Sequence, residues 1–229
     1  MMIVTNKPTR YEIATLNWPE AFPYRPEVSV ELWHGPRVQP GEDVLHLHYR
    51  VAEKAVRGVC AADREHAWED SCVEFFFAPR EDGMYYNVEC TCTGKLYMCV
   101  GADRHERSFL PEEAYAAITR RCSLGTDPVG LIEAPAACPS VDARLIEGRD
   151  VAASGVVVSR DGAALEWEVE LEIPASVFGL ERFSGLKARC NFYKCGDKLP
   201  ERHFVTMFPI ATERPDYHRP EFFGEIAFE

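Results

Sequence analysis

Along much of the chain apolar and polar residues alternate with a period of two, which is the mark of strands with one buried and one wet face. Leu165, Trp167, Val169, Leu171 and Ile173 fall on one face, and Glu166, Glu168, Glu170 and Glu172 on the other. The preceding GVVVSRDG, with its Asp161-Gly162 turn, supplies an antiparallel partner for that strand. The same alternation sets Leu45, Leu47, Tyr49 and Val51 against His46, His48 and Arg50, and Val28, Val30 and Leu32 against Ser29 and Glu31. Further strands are predicted at Val73 to Phe77, Tyr85 to Cys92, Lys95 to Val100, Ala188 to Tyr193, Phe204 to Met207 and Glu225 to Phe228.

A single helix stands out, Pro111 to Arg120, with Pro at its start, Glu112 and Glu113 in the first turn, and Arg120 and Arg121 at the end, where they complement the helix dipole. Many short strands with Gly- and Pro-rich turns imply an all-β fold, an antiparallel β-sandwich of jelly-roll or immunoglobulin-like type with one or two short helices. No repeat or linker divides the chain, so residues 1–229 are read as one domain, with an irregular surface loop over about 125–140.

Composition narrows the function. The 229 residues carry 37 acidic against 25 basic side chains, a net charge of −12, with no Lys/Arg-rich run. This argues against nucleic acid or an anionic membrane as partner and favours a neutral ligand. No apolar run approaches a membrane span, and MMIVTNKPTR lacks the apolar core of a secretory signal. A cytoplasmic location is expected; the alternative is an exported protein, extracellular or periplasmic, whose leader has been trimmed. The nine cysteines show neither a C-x-x-C pair nor zinc-finger spacing, so they are read as reduced thiols that pack as small hydrophobes.

The densest chemistry lies in AWEDSCVEFFF, residues 67–77. If Val73, Phe75 and Phe77 face the core, then Cys72, Glu74 and Phe76 face away, with Trp68 at the rim of that second face. The next strand sets Asn87, Glu89 and Thr91 opposite Tyr86, Val88, Cys90 and Cys92, and KARCNFYKCGD sets Arg189, Asn191 and Tyr193 opposite Ala188, Cys190 and Phe192. Carboxylate, amide and guanidinium groups on three strands suit the paired hydroxyls of a sugar, and aromatic rings suit its C–H faces. Trp68 and Tyr217, the latter in the Pro-bracketed loop RPDYHRP, are the candidate stacking rings. Each residue also has a purely structural reading: Trp68 as core filler, Glu74 as a solvated strand residue, Tyr217 as a cover for the sandwich end, and Arg189 as a counter-ion to Glu74 or Glu89. His46 and His48 share a face, but spacing implies no third ligand, so they are read as exposed.

The pattern W-E-D-S-x-V-E-F-F-F, the later N-F-Y-K-x-G-D strand and the closing aromatic-x(5)-F-G-x-I segment resemble the family 9 carbohydrate-binding modules, in blocks from Asp43 to Glu229. The resemblance implies a β-sandwich that binds mono- or oligosaccharides between two aromatic rings, Trp68 and Tyr217 here, with Glu74, Asn87, Glu89, Arg189 and Asn191 reading hydroxyls. It requires no cofactor, though relatives can hold structural calcium, for which Asp63, Glu65, Glu69 and Asp70 are available. The chain departs from the pattern with Tyr rather than Trp at 217, Asn rather than Arg at 87, and Met rather than Trp at 207, the positions on which sugar specificity and retained binding turn. Non-catalytic sugar binding in support of carbohydrate catabolism is the leading expectation. The alternatives are a glycoside hydrolase using Glu74 and Glu89 as paired carboxylates, and a haem-binding redox sandwich drawing on seven His and five Met. Oligomeric state is not legible.

Overall fold

The computed structural model describes residues 1–36, 42–133 and 164–229. Its strands are β1 (Met2–Val4), β2 (Thr9–Glu12), β3 (Thr15–Leu16), β4 (Glu27–Pro36), β5 (Asp43–Glu53), β6 (Ala55–Gly58), β7 (Cys72–Ala78) and β8 (Tyr85–Thr91). They continue as β9 (Leu96–Gly101), β10 (Arg107–Phe109), β11 (Thr119–Cys122), β12 (Gly130–Glu133), β13 (Leu165–Pro174), β14 (Lys187–Cys195), β15 (Phe204–Thr206) and β16 (Gly224–Phe228). A nine-stranded sheet runs in the order β1, β16, β14, β7, β8, β9, β10, with β15 paired to β14 and β3 to β15. A five-stranded sheet runs β11, β13, β5, β4, β2, and β6 pairs with β12. Strand pairing is antiparallel except between β1 and β16.

The two large sheets make a sandwich around one apolar cluster. The five-stranded sheet contributes Val30, Leu47, Tyr49, Trp167 and Leu171, and the nine-stranded sheet Phe75, Phe77, Val88, Met98 and Phe192. These inner faces are the ones that the alternation selects. Cys90, Cys92 and Cys190 lie in this core, and the eight cysteines among the described residues are free thiols.

The nine-stranded sheet is buried on its other face too over its middle strands. A second cluster of Trp18, Phe76, Tyr193, Phe204, Tyr217 and Phe223 covers it, brought there by the segments before β4 and after β15. This is why β7 reads as an almost unbroken apolar run: six of its seven residues are buried.

One core position contradicts the apolar pattern. Lys194 continues the Cys190 and Phe192 side of β14 and is wholly buried. Its Nζ lies 2.8 Å from the Glu53 carboxylate and donates to His203 Nε2 at 2.9 Å. Glu53 also accepts from Trp167 Nε1 at 2.7 Å, so the charge enters the sandwich already paired.

Three expectations change. The helix α1 is only Glu112–Ala117, because Ile118 turns extended and Thr119–Cys122 joins β13 as an edge strand. Arg120 still reaches back to the helix end, donating to the Tyr115 carbonyl at 2.8 Å as well as to the Asp63 carboxylate and the Gly94 carbonyl, whereas Arg121 leaves the helix and pairs with Glu170 and Glu172. The stretch 125–140 is not all loop, since Gly130–Glu133 pairs with Ala55–Gly58; residues 134–140 and the GVVVSRDG segment lie outside the described residues. His48 is not an exposed strand residue: its Nε2 lies 2.6 Å from Glu168, and His46 stacks on Trp33 at 4.7 Å.

No helix among the described residues is long and apolar enough to cross a membrane.

Candidate functional site

The site grows from the turn that precedes β7. Ala67–Glu69 forms one turn of 3-10 helix, fastened by Asp70, which is wholly buried. The Asp70 carboxylate accepts the backbone N–H groups of Val59 and Cys60 at 2.8 and 2.9 Å and pairs with Arg57. Trp68 is thereby held at the strand entrance, half-buried, with its ring stacked on His66 at 4.5 Å and edge-on to Tyr97 at 5.0 Å.

Antiparallel register then lays the floor in rows. Tyr193, Glu74, Glu89 and Tyr97 form one cross-strand row on β14, β7, β8 and β9. The next row holds Cys195, Cys72 and Thr91, and the row on the other side Asn191, Phe76 and Asn87. Glu74 and Glu89 are thus direct neighbours, 3% and 2% exposed. Burial pushes the Glu74 carboxyl up to about 7, opposed in part by the hydrogen bond from Cys195 Sγ at 3.0 Å. Burial, and then the neighbouring Glu74, push Glu89 well above the carboxylate range. Two like charges so close in an apolar floor favour one shared proton over two anions.

Arg107 on β10 is the counter-charge. Its guanidinium donates to Asn87 Oδ1 at 3.1 Å and His218 Nε2 at 3.3 Å, lies 3.9 Å from Glu89, and sits over the Tyr97 ring. Because arginine can only donate, the neutral His218 ring carries its proton on Nδ1 and gives it to Tyr85 Oη, 2.8 Å away. Burial, reinforced by Arg107 and Arg104, drives His218 down to about 3. Asn87 donates in turn to Glu89 Oε1 at 2.9 Å. The other carboxylate oxygen of Glu89 is buried and has no hydrogen-bond partner among the described residues.

These groups open into a pocket lined by Trp68, Glu74, Glu89, Arg104, Arg107, Cys195, Asp197, Phe204 and the loop Pro215, Asp216, Tyr217 and His218. Tyr217 is buried, stacked on Tyr193 at 4.2 Å, with its hydroxyl donating to the Lys194 carbonyl at 3.0 Å. Asp197 pairs with Arg202 on the rim at 2.6 Å, and Arg104 lies 3.8 Å from Asp216.

Of the residues singled out by sequence, Trp68, Glu74, Glu89 and Tyr217 meet in this one pocket. Asn87 stands behind them, holding Glu89 and Arg107. Asn191 turns to the Phe208 backbone, accepting its N–H and donating to its carbonyl, and does not line the pocket. Arg189 sits at the far end of β14, four residues or about 13 Å along the strand from Tyr193. It donates to the carbonyls of Glu221 and Phe223, so it is no counter-ion to Glu74 or Glu89. The solvated reading of Glu74 also fails. Met207 packs against the main core.

Sequence reading missed Arg107, Asp197, His218 and Cys195. Cys195 was findable, since it continues the parity of Asn191 and Tyr193 two residues on. The four acids considered for calcium have separate protein partners: Arg120 for Asp63, the Ala61 N–H for Glu65, Lys198 for Glu69 and Arg57 for Asp70. They do not assemble into an oxygen cage among the described residues.

The family model described as carbohydrate-binding family 9 matches residues 1–138 and 151–228, and the chain belongs to that family. Among solved structures, a Bacteroides uniformis protein described as a candidate carbohydrate-binding protein is 33% identical, with a TM-score of 0.77 over 97% of this chain and 87% of that one. A family 9 module from Caldicellulosiruptor kristjanssonii, solved in complex with glucose, shares the fold at 10% identity, with a TM-score of 0.50 over 100% of this chain and 95% of that one. No curated protein matches the chain significantly.

Proposed function

We propose that the pocket on the outer face of the nine-stranded sheet binds a mono- or oligosaccharide without chemically changing it. The observation that carries this is the convergence of aromatic rings, Trp68 and Tyr217, with Glu74, Glu89, Arg107 and Asp197 around one opening. A sugar ring packs a C–H face on half-buried Trp68, with Tyr217, buried and stacked on Tyr193, backing the pocket wall, while the planar polar groups bridge vicinal hydroxyls. The floor is fixed before ligand arrives, because Arg107, Asn87 and His218 hold one another in a single network. Family membership supports the same reading, and so does the glucose held by the Caldicellulosiruptor module in its own structure. A role beside enzymes of carbohydrate breakdown follows from a domain that selects sugars.

Affinity is modest, since one ring buries little apolar area. Calorimetry against a panel of mono- and oligosaccharides tests the proposal: at least one sugar gives saturable heat, and Trp68→Ala lowers its affinity about tenfold or more, ~1.4 kcal/mol. No heat with any sugar sinks it.

A second reading draws on the directly opposed carboxyls of Glu74 and Glu89, whose strand positions allow the roughly 5 Å separation of a retaining glycosidase. Reducing sugar released by the wild type but not by Glu74→Gln would favour it over simple binding.

A further inference from the structure

Cys72, Glu74 and Cys195 have a relation that sugar binding does not use. Cys195 on β14 lies directly opposite Cys72 on β7, and Glu74 is two residues beyond Cys72 on the same face. Two sulfurs and a carboxylate oxygen consequently project together, with all three atoms within 4.8 Å of one another and all three residues buried. It is the one such grouping of three metal-binding side chains among the described residues.

We propose that these three residues form a binding site for a thiophilic divalent cation of the Zn²⁺ class in the pocket wall, with a fourth coordination position facing the pocket. Two thiolates and a carboxylate are a borderline-soft set, which selects Zn²⁺ and its congeners over Ca²⁺ or Mg²⁺. Tetrahedral bonds of ~2.0 to 2.3 Å need ligand atoms ~3.5 to 3.8 Å apart, so side-chain rotation of about an ångström closes the set. The contact from Cys195 Sγ to Glu74 Oε1 at 3.0 Å already puts a proton on the line between two of the ligands. A cation takes its place.

Two further features fit. Glu74 and Cys195 line the pocket, which gives the ion an entry and leaves room for water at the fourth position. Glu89, next to Glu74 across β7 and β8, carries the buried carboxylate oxygen that has no hydrogen-bond partner among the described residues. A water on the ion could donate to it, as outer-sphere carboxylates do in built metal sites. Binding releases the two thiol protons, and the Glu74 proton when present, to solvent, and the cation replaces them at sulfur and oxygen. Affinity therefore rises with pH.

The site stands on its own geometry and is tested without sugar, so its failure leaves the sugar reading untouched. The full chain, kept reduced, is titrated with Co²⁺. The expected result is one equivalent bound, with sulfur-to-cobalt charge-transfer absorption that Zn²⁺ abolishes by displacement. Cys72→Ser and Cys195→Ser each remove that absorption, while Cys122→Ser, on the five-stranded sheet and outside the set, leaves it unchanged. Glu74→Gln keeps the two sulfurs and the side-chain shape and weakens Co²⁺ about tenfold; it decides the matter if a serine variant fails to fold. Absence of charge transfer in the folded wild type overturns the proposal. So does absorption that persists in both serine variants, an unchanged affinity in Glu74→Gln, or a Cys72–Cys195 disulfide that survives the reductant.

Discussion

Arg107 shows how much one side chain can organise. It reaches from a three-residue strand to Asn87, His218 and the neighbourhood of Glu89, so it both fixes the floor and tempers the buried acids. Lysine, a point charge without the planar fork, cannot make these contacts together. Arg107→Lys is expected to lower sugar affinity about tenfold and Arg107→Ala further, as calorimetry would show; equal affinity in all three forms would remove Arg107 from the site. Glu74, Glu89 and Trp68 are legible in sequence, because strand parity and the short spacing from Trp68 to Glu74 keep them together whatever else folds around them. Arg107 and His218 are not, since β10 is too short to phase and His218 lies in an irregular loop.

Among the elements, the turn before β7 and the strand β14 carry the most consequence. Asp70 satisfies two backbone N–H groups and Arg57 from a fully buried position. Asp70→Ala orphans them at a cost of about 2 to 4 kcal/mol, and the turn that holds Trp68 loosens with them. Urea denaturation should show the lost stability and calorimetry the lost affinity; a variant as stable as the wild type would refute the role. On β14, Lys194→Met leaves Glu53 buried without its cation, costing about 3 to 5 kcal/mol. Pairing that change with Glu53→Gln, which still accepts from Trp167, should recover much of the loss in the same urea assay. Alternation makes β5 and β13 readable almost to their ends and β4 over its first half, since each has one wet face. It reads β11 as the end of a helix because Arg120 and Arg121 suit a helix C-terminus locally, while tertiary pairing with Asp63 and β13 is worth more.

For the molecule as a whole, buried ionisable groups set opposite slopes of stability against pH. Glu74 holds its proton up to about 7, whereas an unfolded glutamate releases it near about 4.3. Between those values the folded state binds more protons, so this contribution to stability falls as pH rises, by ~1.4 kcal/mol per unit. His218, driven down to about 3, and His203, also pushed down by burial, act in reverse and lose stability as pH falls below about 6.5. The difference between wild type and Glu74→Gln isolates the carboxyl: the wild type should lose stability relative to the variant from pH 5 to pH 7 in denaturant titrations. A constant difference would mean that Glu74 is ionised throughout.

By itself the sequence determined that the chain is an all-β sandwich, which residues face its core, and that Glu74, Glu89 and Trp68 lie on one side of one sheet. Those properties follow from a period of two and from neighbours within a single strand or turn. Only the tertiary structure decided that this second face is roofed by the segments before β4 and after β15, that Arg189 and Asn191 lie outside the pocket, and that Arg107, His218 and Cys195 belong to it. Such choices depend on strand register and on contacts between different elements, from Asn191 with Phe208 to Glu74 with Cys195, whose energies no local pattern encodes. Cys195 meeting Cys72 and Glu74 is the plainest case, because one residue of slip between β14 and β7 would send its sulfur to the opposite face.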